Sequence, residues 1–267
     1  MRKRKRHNEL VRNAFVGLAI ALVIIYGINI FLTNSALEPI RSKLQQERPA
    51  NLHFALITAA DCENCYDMSR VAEFIKDQNV NVVQEKNLDY KGDEAQDIIA
   101  KNGIASLPAL VITGEVSQAN IAHLWARIGV EAVDNVVVID HIPPYYRLDT
   151  ERVVGLVEVI RLTDNSCLEC YDVENHMQVL PNFGIYVDKS LTYDVSSTAG
   201  KELLQKYSIT KVPTIILSPD ASVYPSLVGI WNDVGTVEDD GWYVFRSTEL
   251  MGTYKDLDQN KVVNATR

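Results

Sequence analysis

The sequence predicts an α/β protein in which one unit occurs twice, behind an N-terminal membrane-spanning helix. Three observations carry this reading. Cys62-Glu63-Asn64-Cys65-Tyr66-Asp67 returns 105 residues later as Cys167-Leu168-Glu169-Cys170-Tyr171-Asp172. The same offset, without a gap, carries Thr58 onto Thr163, Val82 onto Val187, Asp89 onto Asp194, Ile104 onto Ile209 and Pro108 onto Pro213. A repeat that keeps two cysteines and a distant proline in register marks two copies of one fold. Within each copy, short apolar runs alternate with stretches of helical spacing. Finally, residues 14–32 contain no charge. The 267 residues suit two domains of ordinary size, and an apolar fraction of 47% is that of a globular chain.

Residues 1–12 hold six Lys/Arg and one Glu, a net +5. The whole chain is −9, so the remainder is −14. An acidic body excludes nucleic acid as the expected partner. The basic run reads as the positive-inside flank of the uncharged stretch, which as a helix is roughly 28 Å long, close to a bilayer core. The expected arrangement is a single-pass anchor in the lipid bilayer through residues 13–33, with 1–12 cytoplasmic and the body extracytoplasmic. A cleaved signal peptide is the rival, since Thr33-x-Ser35 is a passable cleavage site, but the apolar run exceeds the usual length of such a core. Residues 34–50 form a partly helical stalk in which Leu37, Ile40 and Leu44 keep helical spacing.

The first unit is expected over 51–146. Residues 52–58 read as a buried strand and Cys62 opens a helix to about Asp77, with Met68, Val71, Phe74 and Ile75 inward. Residues 80–83 are a strand, 89–92 a turn and 93–101 a helix. A proline-led strand occupies 107–112, a helix or the lead into a final hairpin 120–128, and a closing strand 136–139. Ile142-Pro143-Pro144 is a stiff connector, because proline fixes φ and blocks helix. The second unit, 147–255, repeats this order: a strand at 153–162, a helix from Cys167 to Leu180, a strand at 183–187, a helix at 200–207, a strand at 212–217 and a hairpin at 238–245. Residues 256–267 read as a polar, frayed tail.

The order strand, Cys-x-x-Cys, helix, strand, helix, proline-led strand resembles the thioredoxin-like superfamily, and two such units resemble the tandem protein disulfide oxidoreductases. The first cysteine precedes the proline by 46 residues in both copies. The resemblance implies a central mixed sheet flanked by helices and a cis-proline beside each cysteine pair. It implies redox-active disulfides Cys62–Cys65 and Cys167–Cys170, with Cys62 and Cys167 as nucleophiles, Cys65 and Cys170 as resolving thiols, and no further cofactor. It places polypeptide docking on the loops Leu107-Pro108 and Val212-Pro213. The partners implied are thiols and disulfides of exported or membrane proteins, together with an unidentified electron donor.

The physical case for thiol exchange is that a cysteine at a helix N-terminus faces unpaired N–H groups, which favour its thiolate. Asp61, Glu63, Tyr66, Asp67, Glu169, Tyr171 and Asp172 are the residues that shape the two sites. The motif departs from thioredoxin. Asp61 and Ser166 stand where it has Trp, and Leu56 and Arg161 where it has a buried Asp. Asp61 and Glu63 oppose a neighbouring thiolate, so low, reducing potentials are expected. The alternative is a non-catalytic scaffold in which both pairs are structural disulfides. A shared zinc site is disfavoured, because 101 residues separate Cys65 from Cys167. His176, six residues past Cys170, reads as an ordinary helix residue.

Overall fold

In a computed structural model the described residues are 2–60 and 62–265. Helix α1 (Arg2–Glu47) is followed by β1 (Ala50–Thr58), α2 (Ser69–Lys76), β2 (Val80–Asp89), α3 (Asp93–Asn102), β3 (Ser106–Leu107), β4 (Ala109–Gly114), α4 (Ala119–Arg127), β5 (Ala132–Val133) and β6 (Val136–Ile139). A hairpin, β7 (Tyr145–Arg147) and β8 (Arg152–Val154), leads into β9 (Leu156–Thr163). Then come α5 (Glu174–Val179), β10 (Tyr186–Asp194), α6 (Thr198–Lys206), β11 (Lys211–Val212), β12 (Thr214–Leu217), α7 (Pro225–Val234), β13 (Gly235–Val237), β14 (Tyr243–Phe245), β15 (Tyr254–Asp256) and β16 (Lys261–Val263).

These elements build two five-stranded mixed sheets flanked by helices, with equivalent orders: β2-β1-β4-β6-β5 and β10-β9-β12-β14-β13. In each, the second strand, β1 or β9, pairs parallel with the edge strand and antiparallel with its other neighbour. Thr58 lies opposite Asp89 and Thr163 opposite Asp194, so the sequence repeat is also a repeat of register. Successive side chains of β1 serve opposite faces. Leu52 and Phe54 pack with Ile75, Leu110 and Trp125, while Ile57 packs with Ala95, Leu107 and Val111. In β9, Val157 and Val159 face one core and Ile160 and Leu162 the other.

The structure corrects several sequence expectations. The helices after the cysteine motifs start at Ser69 and Glu174, seven residues beyond Cys62 and Cys167. Their would-be first turns are drawn elsewhere, because the Tyr66 N–H donates to Pro144 O and the Tyr171 N–H to Thr253 O, both at 2.7 Å. Residues 34–47 continue α1 as helix through Pro39. The strand expected at 153–162 is broken at Gly155, whose φ of +89° separates β8 from β9. The polar tail is not frayed over 261–263, because β16 pairs with β15. Helix α7 was not legible: its ten residues follow a proline-led 3₁₀ turn and are interrupted by Gly229.

By length and composition one helix can cross a membrane. The described stretch Leu22–Leu44 has mean hydropathy 1.3 and none of it is buried.

Candidate functional site

Each cysteine pair occupies a turn past the C-terminal end of β1 or β9. The turns are built alike: Cys62 N–H donates to Ala59 O at 3.1 Å and Cys167 N–H to Asp164 O at 3.0 Å. Both pairs are disulfide-bonded and half-buried. Glu63, Asn64, Leu168 and Glu169 face solvent, Leu168 at 93% exposure. Asp61 lies outside the described residues.

The two prolines return to the cysteines through the fold. Leu107-Pro108 and Val212-Pro213 are cis peptides. The Leu107 carbonyl is 3.5 Å from Cys65 Sγ, and Pro108 closes a cleft of about 120 Å³ with Leu56, Thr58, Cys62, Cys65 and Tyr66. Asp67 and Asp172 each accept from the backbone N–H two residues on, Ser69 and Glu174, the first residues of α2 and α5. Hydrogen bonding by Ser69 holds the Asp67 carboxyl below its ordinary range.

The helix-terminus argument for thiolate stabilisation does not survive. A macrodipole acts within the first turn, and Cys62 and Cys167 both lie well before it. The expected docking edges are also filled. Leu107 pairs antiparallel with Tyr146 of β7, and Val212 with Lys255 of β15. A hairpin thus lies along each strand that enters a cis-proline, β7–β8 along β3 and β15–β16 along β11. The same hairpins hold the cysteine turns through Pro144 O and Thr253 O.

The second site carries polar groups that the first lacks. Asp164, 7% exposed, accepts from Lys255 Nζ at 2.6 Å and from Ser166 N–H at 2.8 Å. Burial pushes its carboxyl up, but Lys255 and Ser166 outweigh that and the net shift is downward. The first unit has Ala59 and Tyr146 at the matching places. Tyr171 Oη donates to Pro213 O at 2.6 Å and lies 3.0 Å from His176 Nε2. With the one hydroxyl proton directed to Pro213, His176 carries its proton on Nε2 and donates to Tyr171. The His176 ring packs edge-on to Phe245 at 4.7 Å. Burial lowers its pKa to about 4 and raises that of Tyr171. Beside it lies a mostly apolar cavity of about 180 Å³ that includes Trp231 and Phe245. Arg161, in place of a buried acid, is ion-paired with Glu174 at the start of α5.

Sequence reasoning therefore found the cysteines, the prolines and both Tyr-Asp pairs. It missed Asp164, Lys255, Pro144 and Thr253, and it read His176 as bland. Only Asp164, three residues before Cys167, carried a local signal. Among the described residues, no three His, Cys, Asp or Glu side chains converge as a metal site.

These features define a mixed α/β protein with two disulfide-bonded Cys-x-x-Cys turns beside cis-prolines, consistent with thioredoxin-like folds. No family model matches the chain. No curated protein matches it either. Among solved structures, it is similar to the alkylhydroperoxide reductase protein AhpF of Enterococcus faecalis (V583), a cysteine-to-alanine mutant, at 15% identity and a TM-score of 0.21, covering 68% of this chain and 89% of that one. The NTD_N/C domain of AhpF from the same organism is similar at 14% identity and a TM-score of 0.18, over the same shares. Scores this low do not define a shared fold, so the architecture rests on this chain's own strand order.

Proposed function

We propose that the chain is a membrane-anchored thiol–disulfide oxidoreductase with two thioredoxin-like domains, 51–146 and 147–255, outside the cytoplasm. Helix α1 is its anchor, spanning the bilayer over 13–33 with the basic residues 1–12 inside. The observation that carries this reading is the pairing, in both units, of a half-buried disulfide in a turn with a cis-proline strand. In the reducing direction, the Cys62 or Cys167 thiolate attacks a disulfide of an exported protein. A mixed disulfide forms and one substrate sulfur leaves as thiolate. Cys65 or Cys170 then attacks the first cysteine, closing the intramolecular disulfide and releasing the second substrate sulfur. Two electrons pass per cycle, and a separate dithiol donor must re-reduce the pair.

One observation favours a second reading. The hairpins β7–β8 and β15–β16 occupy the edges where a polypeptide would dock, as suits a binding module with two structural staples. The reduction potential of each pair separates the two. The measurement uses the full chain in detergent, with Cys62→Ser/Cys65→Ser and Cys167→Ser/Cys170→Ser variants isolating one pair each. Exchange predicts reversible titration, nearer to about −270 mV than to −120 mV because no helix terminus stabilises the thiolates. Resistance to reduction below about −300 mV at both pairs would overturn it in favour of staples.

A further inference from the structure

The two cysteine clefts differ at one pair of places. In the first unit, Leu56 of β1 and Ser69, the first residue of α2, both line the cleft that Cys62, Cys65 and Pro108 border. The repeat offset of 105 puts Arg161 and Glu174 at these places in the second unit. The strand register agrees: Leu56 lies opposite Leu110, and Arg161 opposite Ile215, 105 positions on. Glu174 likewise opens α5. An apolar side chain and a hydroxyl are thus replaced by a guanidinium and a carboxylate, and these two are joined as an ion pair.

The pair is lopsided. The Arg161 side chain is 20% exposed and that of Glu174 50%. Water therefore screens the carboxylate more than the guanidinium, and the positive end lies inward. Arg161 Nη1 donates to Glu174, but among the described residues the buried Arg161 Nε has no hydrogen-bond partner. A buried N–H without an acceptor is costly, and one at a redox site calls for a state that supplies the acceptor. The other charges near the turn are engaged elsewhere. Asp164 holds Lys255, Asp172 takes the Glu174 N–H, Asp194 takes those of Asn165 and Ser196, and Glu169 faces solvent. A disulfide sulfur is a weak acceptor and carries no charge. Opening the disulfide creates a thiolate, which is both an acceptor and an anion.

We propose that Arg161 holds the charge of the Cys170 thiolate released when a dithiol donor opens the second pair. This rests on the exchange reading above. The donor's thiolate attacks Cys167 Sγ, the Cys167–Cys170 bond breaks, and Cys170 leaves as thiolate. The donor's second thiol then gives up its proton and displaces Cys167, which takes a proton up. The donor ends as a disulfide, and two electrons have passed to the pair. A better-stabilised thiolate leaves faster, and the first unit, with Leu56, has no cation at this place. The test follows reduction of Cys167–Cys170 by dithiothreitol at neutral pH, read by mass-resolved alkylation. It uses the full chain in detergent, with Cys62→Ser/Cys65→Ser leaving one pair to report. High potassium chloride screens any attraction of the anionic reagent to the surface. Arg161→Leu should slow reduction by about three- to tenfold, and Arg161→Lys should largely restore the rate. Glu174→Gln, at a half-exposed position, removes the opposing carboxylate and should accelerate reduction. An ion pair that only braces the fold predicts changes of one sign, because Arg161→Leu and Glu174→Gln both break it. Anything but opposite signs in these two variants overturns the assignment alone. Failure of dithiothreitol to reduce the pair in the parent chain overturns the exchange reading and the assignment with it.

Discussion

At the scale of single residues, the second site is the chemically unusual one. His176 is 5% exposed and its pKa is lowered from 6.5 to about 4 by burial. Above pH 6.5 the ring is neutral in folded and unfolded chains alike. Between 6.5 and about 4 the unfolded chain binds a proton that the folded one refuses, so stability falls as pH drops through that window. The full effect is about 3 kcal/mol. Urea denaturation of wild type and His176→Gln at a series of pH values checks this, and the variant should lose the slope between pH 6.5 and 4. Lys255 and Asp164 form a pair that neither partner tolerates losing. Lys255→Met leaves a buried carboxylate without its cation and should cost about 3 kcal/mol. Asp164→Leu/Lys255→Met should recover most of that loss, because replacing both members removes the unpaired charge. Equal destabilisation by the single and double variants would show that the pair contributes only packing.

Among the elements, the hairpins decide how the cysteines are reached. β7–β8 is also the link between the two sheets, so it cannot leave its edge without moving the second sheet. Hairpin β15–β16 makes no such link among the described residues. Deleting 253–267 frees the edge of β11 and removes the acceptor of the Tyr171 N–H and the cation beside Asp164. Reduction of Cys167–Cys170 by a small phosphine should then accelerate while that of Cys62–Cys65 is unchanged, as followed by mass-resolved alkylation. The first strand and the proline-led strand of each unit were legible, because apolar runs and turn residues encode them locally. The helix starts were not. Cys62 and Cys167 look like first-turn residues until Pro144 and Thr253 take the backbone donors of the next tyrosines.

For the whole molecule, the two sites share geometry but differ in electrostatics, with Ala59 and Tyr146 in one where the other has Asp164 and Lys255. The proposed titration should therefore resolve two potentials rather than one. A single shared value would mean that the charged pair is silent in the redox equilibrium. Hydrogen bonds of Arg48 with Glu115, Gln118 and Asn120 tie the end of α1 to the first unit. The sequence foresaw a partly helical stalk there, since polar side chains that cap a distant carbonyl leave no periodic trace.

What the sequence by itself determined is the twofold repeat, the pairing of each cysteine motif with a proline 46 residues on, the apolar N-terminal segment and the inward faces of the strands. All of these are written in local spacing or in the comparison of one half with the other. Only the tertiary structure decided which backbone groups the cysteine turns bind, that a hairpin covers each cis-proline edge, and that Lys255 meets Asp164 across 91 positions of chain. The physical reason is that an unpaired N–H or a buried carboxylate specifies a need but not a partner. Which partner satisfies it depends on the edges that the packed sheets bring together.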